Sequence, residues 1–230
     1  MAAPTSPPLR FAVALFPGFQ ALDAFGPLDV LNVLSRRYPI SIRVLAATRE
    51  PVSTRTPLSG HAAGEAVAPT HTFAETLASL PPADDGTSPD GIDVLIVPGG
   101  AGVREPLVAR PVEDFVRAVY PRLRFLLTVC TGSVIAARAG VLEGLRATTN
   151  KRSWEWGPDV RWVARARWVV DGRAWTSSGI SAGIDMAFAF VANQFGEDVA
   201  RDIADAAEHS RRTDPNDDPF AERWGAKEKE

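Results

Sequence analysis

The chain has 230 residues, 45% of them hydrophobic, which is enough to bury one sizeable core and fits a single α/β domain better than two. Its net charge of -3, without clustered Lys and Arg, argues against a polyanion-binding surface, so no nucleic-acid partner is expected. One cysteine excludes an internal disulfide, three scattered histidines (His61, His71, His209) offer no zinc-ligand spacing, and no run reaches the ~18 apolar residues of a membrane span; the expectation is a cytoplasmic protein with no metal or cofactor.

In chain order, residues 1–9 hold three prolines and no secretory signal, and read as a disordered lead-in. Residues 10–16 read as a first buried strand ending at Pro17 and Gly18. Gly26 and Pro27 then signal a helix start, with Leu28, Leu31 and Leu34 at helical spacing. Asp23 falls in the loop between them. That loop emerges at the carboxyl edge of the sheet, so Asp23 is either a partner for a group at that edge or a helix-start residue bonding backbone N–H groups. A second strand is expected at 41–47, a meandering connection or weak hairpin at 50–69, a short helix at 73–80, and a solvated loop at 81–91. His71 has no recognisable partner and reads as structural.

Residues 93–97 (DVLIV) read as a buried parallel strand closed by Pro98, Gly99 and Gly100. The two glycine N–H groups are candidates for an oxyanion hole or for holding a substrate. A helix over 105–120 leads to the segment that organises the rest: FLLTVCTGSVIAARAG, a strand over 125–129, Cys130 at its end, then Thr131, Gly132 and Ser133 opening an alanine-rich helix that stops at Gly140. Strand, sharp turn and helix make a nucleophile elbow, with a small neighbour such as Gly132 allowing the tight fold. A thiol there, near a helix start and unpaired N–H groups, is expected to favour the thiolate; the alternative is a small buried hydrophobe.

Beyond the elbow come LRATT (145–149), a polar aromatic stretch beginning at Asn150, and a hairpin over 165–177 turning at Asp171 and Gly172. SSGISAGID reads as a small-residue turn before a helix carrying Ile184, Ala187, Phe188, Val191 and Phe195 on one face, followed by a helix over 197–209. Trp154, Trp156 and Trp162 are either aromatic pocket residues or packing residues. Residues 210–230 form a charged tail, expected to be loosely held, with Phe220 and Trp224 as anchors onto the domain or a second subunit.

The alternation of strands and helices predicts a doubly wound, mostly parallel sheet with helices on both faces, over one domain at 10–209. FPGFQALDAFGPLDVL, IVPGGAGV, TVCTGS, RATTN and SGISAGID, in this order, resemble the ThiJ/PfpI superfamily, which has a class I glutamine-amidotransferase-like, flavodoxin-type fold, and within it the isonitrile (isocyanide) hydratases. By position, Cys130 resembles the family nucleophile, Asp23 the acidic residue facing the thiol, and Thr131 the neighbour that helps bind the substrate. Gly99 and Gly100 resemble the turn lining the same pocket. The resemblance also implies a homodimer acting on a small molecule. Thr131 stands where protease-like and deglycase-like relatives place His, and Asn150 where many relatives carry His; Asn can hydrogen-bond but cannot shuttle a proton near neutral pH. Gly132 and Asn150 complete the candidate substrate-binding set. Three activities are compatible with these residues: hydration of an isonitrile to a formamide through a covalent thioimidate, glyoxalase-like chemistry on another small electrophile, and redox or electrophile sensing at Cys130 without turnover.

Overall fold

The computed structural model describes residues 6–56, 63–80, 90–158 and 160–228. The expected loop over 81–91 lies almost wholly outside these, as do residues 1–5 of the lead-in. In chain order the strands and helices are β1 (Arg10–Ala14), α1 (Ala21–Leu34), β2 (Ser41–Ala46), β3 (Val52–Ser53), β4 (Ala66–Val67), β5 (His71–Thr72), α2 (Phe73–Ser79), β6 (Val94–Val97), α3 (Pro106–Val119), β7 (Phe125–Thr128) and α4 (Gly132–Arg138). They continue with β8 (Arg146–Ala147), β9 (Arg161–Trp162), β10 (Trp168–Asp171), β11 (Ala174–Ser177), α5 (Ile180–Phe195), α6 (Glu197–Ala206) and α7 (Phe220–Arg223).

Seven strands form the main sheet in the order β10-β11-β7-β6-β1-β2-β5, parallel except for the β10–β11 hairpin. The doubly wound expectation therefore holds. β1, β6 and β7 are fully buried beyond the first residue and lie side by side at the centre, as strands covered on both faces must. Behind them Phe190 of α5 packs edge-on against Phe125 and Trp175, with ring centroids 5.2 Å and 5.3 Å away. The connection over 50–69 contains the short antiparallel pair β3–β4, and β8–β9 form a second small sheet beside the main one.

Four local expectations need correction. Helix α1 begins at Ala21, not at Gly26-Pro27, so Asp23 stands in its first turn and Pro27 inside it. Packing overrides the local signal: α1 crosses α5 so closely that a Cβ on Gly26 would sit 2.6 Å from Ile184 Cγ1, which makes Gly26 a contact point and not a boundary. Likewise α5 starts at Ile180, so the small residues of SSGISAGID lie within its first turns. A Cβ on Gly183 would come within 2.4 Å of Val129 Cγ1, the residue before Cys130.

The lead-in is held at residues 6–9, where the Leu9 and Arg10 N–H groups donate to Asp93 Oδ2 at 2.8 Å and 2.9 Å and Arg124 donates to the Ser6 carbonyl. The C-terminal segment is strapped down by polar anchors. The Arg167 N–H donates to the Pro215 carbonyl, Trp154 Nε1 donates to the Lys227 carbonyl, and Asp218 forms an ion pair with Lys151 at 3.2 Å with both side chains 1% exposed. Phe220 and Trp224, the expected anchors, are 37% and 51% exposed.

Candidate active site

The strand order brings three adjacent carboxyl ends together: β1 leads into Asp23, β6 into Gly99-Gly100, and β7 into Cys130. Cys130 has φ +58°, a left-handed conformation that a non-glycine residue adopts at a cost of about 1–2 kcal/mol. Neighbours hold it there. Its N–H donates to the Ser178 carbonyl at 3.0 Å, and its carbonyl accepts from Ser133 Oγ at 3.0 Å and Thr149 Oγ1 at 3.1 Å. Ser133 and Thr149 are thus the residues that fix the elbow, a role that only the fold makes visible.

Glycine is required on both sides of the turn. A Cβ on Gly132 would lie 2.1 Å from the Val97 carbonyl oxygen, and one on Gly99 would lie 2.5 Å from the Thr131 nitrogen. Gly132 is buried and its N–H donates to the Val129 carbonyl, so it shapes the turn. The Gly99 and Gly100 N–H groups are also used internally, by Asp23 Oδ2 at 3.1 Å and Thr131 Oγ1 at 3.0 Å. The expected oxyanion hole is therefore corrected to a positioning device. Gly99 aims the carboxyl, and Gly100 holds the side chain of Thr131, which is 2% exposed.

Three groups face the sulfur: the Asp23 carboxyl, the Thr131 N–H and the Asn150 side-chain amide. Asn150 Oδ1 accepts from the Arg152 N–H at 3.0 Å, and this orients its NH2 as the donor. Asp23 is fully buried, and its Oδ1 has no conventional hydrogen-bond partner beyond the thiol beside it. Burial pushes its pKa from 3.8 up to about 7, against the lowering influence of the Gly99 N–H and the thiol. The thiol is 7% exposed, and burial followed by the charge of Asp23 pushes it well above its ordinary value; the Thr131 N–H and Asn150 only partly offset this. The expected thiolate is thus overturned. Desolvation at a closed floor outweighs a short helix start, and the pair holds a thiol beside a carboxyl poised near neutrality.

Above the sulfur opens a cleft of about 360 Å3. Gln20, Arg104, Arg152, Ser153 and Ile180 line it together with Trp156, Thr131 and Asn150. Of the three candidate tryptophans only Trp156 is there; Trp154 and Trp162, 4% and 0% exposed, pack on each other in the core. Among the described residues no three His, Cys, Asp or Glu side chains converge as a metal-ligand set, and no helix is long and apolar enough to cross a membrane.

Residues 9–193 match the DJ-1/PfpI family. The chain belongs to the DJ-1/PfpI family. Within it, the chain is similar to an isonitrile hydratase of Pseudomonas putida, 32% identical over 194 residues that cover 84% of this chain and 75% of the relative. A THiJ/PfpI family protein from Pseudomonas syringae shares the fold with a TM-score of 0.67 at 26% identity, covering 95% of this chain and 80% of the other. The DJ-1/PfpI fold also serves other ends. The HTH-type transcriptional regulator GbdR of Pseudomonas aeruginosa is 32% identical over 130 residues, covering 53% of this chain and 34% of the regulator.

Proposed function

We propose that the protein hydrates an organic isonitrile, R–NC, to the N-substituted formamide, with Cys130 as nucleophile and Asp23 as acid and base. The observation that carries this reading is the buried Cys130–Asp23 pair at the floor of the cleft, with Asp23 near 7. The similarity to an isonitrile hydratase supports it.

The Asp23 carboxylate takes the thiol proton as sulfur attacks the terminal carbon, and the same proton passes from Asp23 to that carbon, giving the thioimidate R–N=CH–S–Cys130. Water then adds across C=N, with Asp23 relaying its proton to nitrogen. The tetrahedral adduct collapses to the C=O by breaking C–S, and Asp23 takes the hydroxyl proton and passes it to sulfur. One isonitrile and one water become one formamide, and the enzyme is unchanged. Asn150 and the Thr131 N–H stabilise the sulfur whenever it is anionic.

A protonated thiol 7% exposed is a poor peroxide target, which disfavours the sensing alternative. The homodimer is part of this proposal. Leu22 and Phe25, 46% and 41% exposed and flanking Asp23 on α1, are the apolar side chains a second copy would cover.

The test is incubation with a simple alkyl isonitrile and detection of the formamide by mass spectrometry. Wild type should form it and Cys130→Ala should not. Retained turnover in Cys130→Ala would refute the covalent route.

A further inference from the structure

The cleft above Cys130 adjoins a hollow of about 330 Å3 at the start of α5, and the two share Asn150, Arg152 and Ile180. The whole chain carries more acidic than basic residues, 28 against 25, yet among the described residues no Asp or Glu lines either space. Four basic residues do. Two are neutralised within the protein, Lys151 by Asp218 and Arg167 by Asp185, the latter at 2.6 Å.

Arg104 and Arg152 differ: both are exposed, and among the described residues neither side chain meets a carboxylate. Each guanidinium lies instead over a tryptophan ring, Arg104 over Trp156 at 5.2 Å and Arg152 over Trp224 at 5.7 Å. Stacking holds the plane of the guanidinium by its face and leaves the N–H edges to donate to a planar anion. Ile180, which lines both spaces, is the first residue of the 16-residue α5; this helix has neither a side-chain cap nor an acidic residue in its first turn and so adds the positive end of its dipole. Unpaired charge of one sign along a concave wall concentrates the potential on whatever enters.

From this juxtaposition we propose that the substrate of the Cys130 site carries a carboxylate at the end remote from its reacting carbon, held by Arg104 and Arg152. The inference rests on the hydratase reading and narrows its substrate class to isonitriles bearing a carboxylate. Sulfur at the buried floor and guanidinium groups at the exposed rim require the two functional groups to be separated along the molecule. Trp156 supplies an apolar wall for the chain between them.

The test compares ω-isocyanoalkanoates of two to five methylenes with their neutral methylamides, which match them in shape and in electron demand at the isonitrile. For at least one chain length, kcat/KM of the carboxylate should exceed that of its amide about tenfold or more, mainly through KM, because a charge-assisted hydrogen bond is worth about that factor. The ratio should shrink as salt is added. Arg104→Gln and Arg152→Gln should each move it toward one, and Arg152→Lys should restore it only in part.

Equal rates for carboxylate and amide at every length would overturn this inference and leave the hydratase reading standing. If neither series is hydrated, the hydratase reading fails. The anion site is then judged by calorimetric titration with the matching ω-formamidoalkanoates. Binding that needs the carboxylate and is lost in Arg152→Gln supports the site; binding indifferent to it, or none, overturns it.

Discussion

Replacing Asp23 with Asn isolates the energetic consequence of burying a titratable group at the base of the cleft. In the unfolded chain Asp23 has its ordinary pKa of 3.8, and in the folded protein burial raises this to about 7. The folded state therefore binds the proton more tightly, so the stability that the protonated carboxyl provides is fully present below pH 3.8. It is lost as pH rises through 7, where the charge must be buried. The whole rise corresponds to about 4 kcal/mol, of which about 3 kcal/mol falls between pH 5 and pH 8.5.

Asn does not titrate, and its oxygen keeps the bond from the Gly99 N–H, so the variant lacks this loss. For a chain of this length 1 kcal/mol moves Tm by about 2–4 °C. The Tm of Asp23→Asn relative to wild type should thus climb by about 6–12 °C between pH 5 and pH 8.5 in scanning calorimetry. Groups not coupled to Asp23 titrate alike in both proteins and cancel in the difference. Parallel curves, with a difference constant to about 1 °C, would refute the reasoning and place Asp23 in ordinary carboxylate territory. The same ionisation governs the proposed chemistry: kcat/KM of wild type should rise with pH through about 7, as the carboxylate able to take the thiol proton forms. Asp23→Asn should lose this limb and about a hundredfold or more of the rate.

Gly132→Ala should destabilise the protein by about 2 kcal/mol or more in urea titrations and abolish turnover, because its Cβ would lie 2.1 Å from the Val97 carbonyl oxygen and the elbow must move. Lys151→Met should cost about 3–5 kcal/mol by leaving Asp218 charged and buried. The double variant Lys151→Met, Asp218→Leu should recover much of that loss, and a double variant no better than the single would show that the pair is not coupled. Leu22→Glu together with Phe25→Glu should shift the sedimentation coefficient from dimer to monomer, and an unchanged value would remove this face of α1 from the interface.

The elbow was legible because its requirements are local. A short apolar run, Cys130, and small residues at Thr131-Gly132-Ser133 describe a strand, a strained turn and a helix without reference to anything distant. Asp23 was legible only through the rule that successive loops of an open parallel sheet emerge at one edge, which places it near the thiol whatever the details of its helix. The helix boundaries were misread where glycine, ordinarily a stop signal, serves as a contact: Gly26 against Ile184, and Gly183 against Val129. No local pattern distinguishes a glycine that bounds a helix from one that lets a helix touch its neighbour. The charged C-terminal segment was misread for a related reason, since its composition favours solvent but Asp218 has a buried partner in Lys151, far away along the chain.

The order of apolar runs and turns was sufficient for the doubly wound sheet and for the place of Cys130 at its carboxyl edge, because strand and helix periodicity and right-handed crossovers leave few alternatives. The protonation of the site was decided by tertiary structure. A helix start beside Cys130 argues for a thiolate, but burial of Cys130 and Asp23 together reverses that argument, and burial is a property of all the surrounding chain. The same holds for the Gly99 and Gly100 N–H groups, which the fold commits to Asp23 and Thr131, and for Arg104 and Arg152, ordinary surface residues until the fold sets them over one cleft. Charge, desolvation and hydrogen-bond partners depend on distances in space, and distances in space between distant residues are not written in local sequence.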